Sequence, residues 1–199
     1  QVLRSIAIKG AANLEGVAVL EDGHVAVLDE RQRSLTIFRL DADTRELDSA
    51  QAVQRVELGT VGDSNKGFEG LAWDPRNQRL LLANEKNPVR LFSLACDGRR
   101  VSGPLQALGD LDGYVTDVAG LSVDSRSGQL LALSQESHLL LGLDPQLRAQ
   151  SFLALLPGLN GLTQRVPQAE GLALDNAGNL YVVSERNLFF AFQREVSAP

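Results

Sequence analysis

Methionine is absent from this 199-residue chain, and cysteine, tryptophan and histidine are scarce at one, one and two. A lone Cys96 excludes an internal disulfide framework and any Cys-rich zinc motif. Followed by Asp97-Gly98, it reads as a strand-end residue with no catalytic role. With His24 in a turn and His138 at the start of a strand, no recognisable triad motif serves Ser134, Ser137 or Ser184, and zinc has no ligand set. Positive charge is in deficit: 19 Lys and Arg against 25 Asp and Glu give a net charge of −6 and a pI near 5.0. That balance argues against a nucleic-acid backbone as the main partner. Long apolar runs are missing too. LLLAN and SFLALL are far too short to span a bilayer, so no transmembrane segment is expected. Lys66, in VGDSNKG, lacks the glycine spacing and following helix of a Walker loop; the segment reads instead as a loop over the mouth of a channel. The chain opens directly on QVLRSIAI, an apparent strand, which points to a processed or truncated chain and leaves room for a removed signal or anchor.

What is present is a repeat. LEGVAVLEDGHVAVLDE (from Leu14), FEGLAWDPRNQRLLLANE (from Phe68), VAGLSVDSRSGQLLALSQE (from Val118) and AEGLALDNAGNLYVVSE (from Ala169) place hairpins near 14–30, 68–85, 118–136 and 169–185. Their shared glycines, Gly16, Gly70, Gly120 and Gly171, are 54, 50 and 51 residues apart. A third strand follows each hairpin (SLTIFRL, VRLFSL, HLLLGL, LFFAF). A weaker fourth follows the first three (QRVELG, GPLQALG, AQSFLALLPG). The strands are apolar on both faces, as in VAVL, LLLA and LYVV, so both faces are expected to be covered. No helix-period segment of useful length competes. Four-stranded units at this period predict an all-β fold, a β-propeller forming one domain over 1–199. The last unit supplies only three strands, and QVLRSIAI is expected to complete it and close the ring.

The hairpins raise a problem of charge. Asp22-Gly23 signals a two-residue turn, which would pair Glu15 with Glu30 on neighbouring strands, where like charges destabilise. In the last unit, the same arithmetic pairs Glu170 with Glu185 about Ala177-Gly178. Inner-strand starts carry Glu15, Glu69, Ala119 and Glu170; the following strand ends carry Glu30, Glu85, Glu136 and Glu185. Asp117 stands near the mouth where the third repeat has alanine. Such a ring of oxygens suits a hard cation, Ca²⁺ or Mg²⁺. Glu15, Glu69 and Glu170 form the expected inner set, Asp117, Glu85 and Glu136 assist, and Asn84 and Gln135 can add carbonyl oxygens. A bland alternative stands beside this: the acids pair with Arg31, Lys66, Lys86 and Arg186 or cap neighbouring backbone. Trp73 is expected to fill space between sheets. Asp74, Asp124 and Asp175 are expected to hold turn backbone.

NKGFEGLAWDP, LLLANEKNP, DVAGLSVDSRSGQLLALSQES and PQAEGLALDNAGNLYVVSE together resemble the SdiA-regulated, YjiK-like β-propeller family of bacterial proteins, over essentially the whole chain. The resemblance implies a propeller in the Gram-negative cell envelope, membrane-associated or periplasmic, without an established activity. It also implies a further upstream repeat, hence five blades in the full-length protein. A looser similarity runs to metal-dependent lactonase propellers, whose inner-strand EGPxW motif matches Glu69-Gly70-Leu71-Ala72-Trp73 except for the proline. It would carry a metal-ligand role to Glu69 alone, and no matching Asn and Asp ligand motifs accompany it. Three readings follow: a non-enzymatic binding propeller with an acidic mouth for a divalent cation or a protein partner, a lactonase-like metal-dependent hydrolase, and a purely structural or protein-interaction module.

Overall fold

A computed structural model describes residues 2–61 and 67–194. Among them, four antiparallel sheets stand side by side as propeller blades. The first sheet orders β2 (Leu14–Val19), β3 (His24–Asp29), β4 (Ser34–Arg39) and β6 (Gln54–Glu57). The second runs β7 (Phe68–Asp74), β8 (Arg79–Asn84), β9 (Arg90–Cys96) and β10 (Val101–Asp110). The third runs β11 (Gly120–Val123), β12 (Leu130–Ser134), β13 (Leu139–Leu143) and β14 (Ala149–Ala154). The fourth has three strands, β15 (Ala169–Leu174), β16 (Leu180–Ser184) and β17 (Leu188–Phe192).

The two-sided strands do what their composition requires. In β8, Leu80 and Leu82 face the first sheet while Leu81 and Ala83 face the third. One cluster, with Leu28, Leu35, Ile37, Leu71 and Leu94, fills the first gap between sheets. Trp73 packs against that cluster as expected, and Phe68 meets Phe92 edge-on at 5.4 Å. Similar clusters fill the second and third gaps. Cys96 is buried at the end of β9.

The N-terminal strand departs from expectation. Instead of completing the last sheet, β1 (Ala7–Lys9) pairs in parallel with β5 (Glu46–Asp48), a short strand in the connection between β4 and β6. Ile8 and Leu47 thereby cover Val25, Val27 and Phe38, the outward face of the first sheet. Apolar side chains on that face, close in sequence, offered nearer cover than the distant fourth sheet.

The hairpin registers also differ, by one residue. Pairs such as Val17↔Val27 and Ala18↔Ala26 place Asp22 at the turn centre, in a three-residue loop of Glu21, Asp22 and Gly23. Asp22 (φ 49°) and Gly23 (φ 75°) both lie in the left-handed region, which the loop needs and which aspartate and glycine tolerate. The last hairpin behaves alike: Leu174 pairs with Leu180, which makes a five-residue turn from Asp175 to Asn179. A further residue is then inserted at Glu15, Glu69 and Glu170, each lying at a β-bulge before the shared glycine.

Candidate functional site: the carboxylate mouth

The bulges answer the problem of the facing glutamates. Because the inserted residue takes Glu15 out of register, the residue opposite Glu30 is Asn13, whose carbonyl accepts the Glu30 amide at 2.9 Å. The Asn13 side-chain amide then donates to both carboxylates, at 2.7 Å to Glu15 and 3.0 Å to Glu30. One neutral amide thus bridges two acids. Gln168 holds the equivalent place in the fourth repeat and donates to Glu185 at 2.7 Å. In the third repeat that place is taken by Asp117, which is buried and caps the strand end. It accepts from the Ser134 hydroxyl and from the amides of Gln135 (3.1 Å) and Glu136 (3.0 Å).

Across the first gap, Glu30 leans toward the second sheet. Its carboxylate accepts the Gly67 amide at 3.1 Å, and a Cβ on Gly67 would sit 2.5 Å from Glu30 Cγ. Glycine is required there by close approach. The result is a tight group: carboxylate oxygens of Glu30, Glu69 and Glu85 all lie within 4.8 Å of one another. Glu30, a strand-end acid at the mouth, was not in the expected ligand set, and Gly67, which admits it from across the gap, carries no motif of its own. Lys86 bridges Glu85 (3.1 Å) and Glu136 (2.7 Å), and these two carboxylates hold its ammonium well above the usual lysine range. Glu136 is exposed and tied to Lys86 at the rim. Lys66 lies outside the described residues.

Glu15, Glu69 and Glu170 line one cavity of about 460 Å³ together with Ala119, so the inner-strand starts do converge. Burial, reinforced by the charges of Glu85, Glu15, Glu30 and Glu170, pushes the Glu69 carboxyl up to about 8. Burial, then Glu185, Glu15, Asp117 and Glu85, pushes Glu170 up to about 7. Both effects disfavour the charged form. An all-oxygen set of this kind fits a hard cation. Fully buried Asn84, beside Glu85, keeps a side-chain oxygen without a hydrogen-bond partner among the described residues, while its amide donates to the carbonyls of Lys86 and Pro88.

The opposite rim is built differently. Asp74, Asp124 and Asp175 grip their turns, as expected; Asp175 accepts from the amides of Ala177 (2.9 Å) and Asn179 (2.8 Å) and from the Tyr181 hydroxyl (3.0 Å). Arg76 donates to the carbonyls of Ser125 (3.0 Å) and Arg126, and Arg126 donates to Ala177 at 3.0 Å. The second sheet's turn is thereby tied to the third's, and the third's to the fourth's.

Fold and site together define a β-propeller with a carboxylate-lined mouth on its inner strands. The chain belongs to the SdiA-regulated family, whose model matches residues 1–193. Among solved structures, it is similar to the glutaminyl cyclase of Myxococcus xanthus, at 21% identity and a TM-score of 0.65, over 94% of this chain and 67% of that one. It is similar to a chain of a nidogen/laminin complex at 18% identity and a TM-score of 0.59, over 88% of this chain and 57% of the other. A Bacteroides caccae protein of unknown function matches at 12% identity and a TM-score of 0.53, over 96% and 60%. At these identities the likeness is one of fold. Among the described residues, no helix is long and apolar enough to cross a membrane.

Proposed function

We propose that this protein is a binding propeller whose acidic mouth holds a divalent cation, Ca²⁺ or Mg²⁺. The observation that carries the reading is the convergence of Glu30, Glu69 and Glu85 within 4.8 Å. Glu69 also lines a cavity with Glu15 and Glu170, and these two add negative field. Bound there, the ion presents a fixed positive centre at the end of an apolar cavity, for an anionic ligand or a partner protein. Binding would displace the protons held by Glu69 and Glu170, so affinity rises with pH through 7 and 8. Calcium and magnesium titration calorimetry on chelator-treated protein tests this. We expect saturable binding with proton release at pH 7, lost in Glu69→Gln; absence of heat with either ion, at pH 7 and at pH 8.5, would sink the reading.

A hydrolase is the second reading. It is favoured by one observation: Glu69 keeps its proton near neutrality beside other carboxylates, an arrangement suited to acid–base chemistry. Turnover of a lactone or phosphoester panel by the cation-loaded protein separates the two. Location in the bacterial envelope is part of the proposal through family resemblance, and cell fractionation tests it.

A further inference from the structure

Among the described residues, no ion pair joins Arg31 or Arg186 to a mouth carboxylate, whereas Lys86 makes two. Its ammonium stands 3.1 Å from Glu85 and 2.7 Å from Glu136. The two acids differ in place and in circumstance. Glu85 is buried and belongs to the close group with Glu30 and Glu69; Glu136 is exposed and stands outside that group. Glu85 follows β8 of the second sheet, and Glu136 follows β12 of the third. The backbone beneath the lysine is clamped. The Glu85 amide donates to the Gly67 carbonyl at 3.0 Å, and the Val118 amide donates to the Glu85 carbonyl at 2.9 Å. The Asn84 side-chain amide donates to the Lys86 carbonyl at 3.0 Å. What can move is the lysine side chain, a point charge on a flexible four-carbon stem.

We propose that Lys86 is a tethered competitor for the cation: its ammonium holds Glu85 in the ion-free protein, yields it to the arriving ion and keeps Glu136. The inference rests on the cation reading of Glu30, Glu69 and Glu85 and adds what regulates that site. Giving up an ion-pair partner is costly at buried Glu85 unless another positive charge takes its place, and the ion brings one. At the exposed end the ammonium needs no replacement, because Glu136 is the nearer of its two acids and solvent reaches the pair. An ion therefore binds only by displacing an ammonium, and then sits beside that ammonium's charge. Affinity is held below what the three carboxylates alone would give. Occupancy is also carried across the gap between sheets, since an ion at the edge of the second sheet shifts a positive charge toward the third.

Calcium titration calorimetry at pH 8.5 on the chelator-treated parent, Lys86→Met, Lys86→Arg, Glu136→Gln and the Lys86→Met/Glu136→Gln double variant tests this. We expect Lys86→Met to tighten binding roughly tenfold. Lys86→Arg, which keeps the charge, should stay within about threefold of the parent. Glu136→Gln should weaken binding roughly threefold by leaving the ammonium to Glu85, and should have no further effect once Lys86 is replaced by methionine. A merely structural lysine would not make the effect of Glu136 depend on it. Lysine side-chain NMR gives a readout apart from affinity, because the chain has three lysines, Lys9, Lys66 and Lys86. The signal missing from Lys86→Arg should shift as calcium saturates the parent, while that of Lys9, paired with Glu46, stays still. Equal or looser binding in Lys86→Met, or a Lys86 signal indifferent to bound calcium, would overturn the inference and leave the cation reading intact. Calcium taken up by Lys86→Met but not by the parent would sink the cation reading for the parent yet support the inference, with the ammonium as sole occupant. Calcium bound by neither would sink both.

Discussion

The two rims of these blades carry the same charge in opposite circumstances. On the turn rim, hydrogen bonds from Arg126 and from neighbouring amides hold the Asp124 carboxyl at about 2. Asp175, held by Asn179, Tyr181 and turn amides, is also at about 2. On the mouth rim, Glu69 and Glu170 are pushed up, to about 8 and about 7. Only one β-strand, some six residues and roughly 20 Å, separates the two environments. Turn aspartates sit where donors are supplied by local backbone geometry, whatever else surrounds them. Mouth glutamates sit where the starts of β2, β7 and β15 come together with the ends of β3, β8 and β16, and the described donors to them include Asn13, Gly67, Gln168 and Lys86. One rim holds its aspartates in the charged form; the other pushes two of its glutamates toward the protonated form.

Removing a fastener should cost most. Asp124→Ala deletes four hydrogen bonds, three from Arg126 and one from the Ser127 hydroxyl, so a loss of about 2 kcal/mol is expected, read as a fall in the melting midpoint of about 4–8 °C. The mouth should respond with the opposite sign: Glu69→Gln removes repulsion and raises the midpoint at pH 8, with little change at pH 4.5, where the native carboxyl is already protonated. A midpoint lowered at pH 8 would show that Glu69 is internally compensated.

Next in size is the pH profile of the cation-free protein. The folded chain holds protons on Glu69 between the ordinary value of 4.5 and about 8, and on Glu170 between 4.5 and about 7, whereas the unfolded chain has released them. Stability therefore falls as pH rises through that window. Asp124 and Asp175 act the other way: their contribution is complete above the ordinary value of 3.8 and is lost as pH falls through about 2. Thermal melts should thus peak near pH 4 to 5, and saturating Ca²⁺ should flatten the alkaline limb. Smallest is Arg76→Ala. Its contacts to the third sheet's turn are exposed, so less than about 1 kcal/mol is expected, measurable by denaturant titration.

Much of the architecture was legible. Strands apolar on both faces admit few arrangements other than stacked sheets, and their fifty-residue spacing counted them. Trp73 and the turn aspartates followed from the same pattern. The mouth was legible only in outline. Glu15, Glu69 and Glu170 do meet, but their actual partners depend on one-residue offsets: a three-residue loop where two residues were expected, then a bulge. Asn13 and Gln168, the amides that relieve the facing acids, carry no motif of their own. Gly67, which admits Glu30, is just another glycine in the sequence. The N-terminal strand was misplaced because an edge in need of a partner does not specify which of several strands will fill it.

The bulge at the inner-strand glutamate has a consequence for how such a protein can change. A residue inserted out of register belongs to neither packed face, so its chemistry is uncoupled from the fit of the leucines beside it. The third repeat shows the latitude this gives: alanine stands at position 119, and Gly120 through Val123 still pair with Leu133 through Leu130. The rim can gain or shed ligands one repeat at a time while the blades stay as they are.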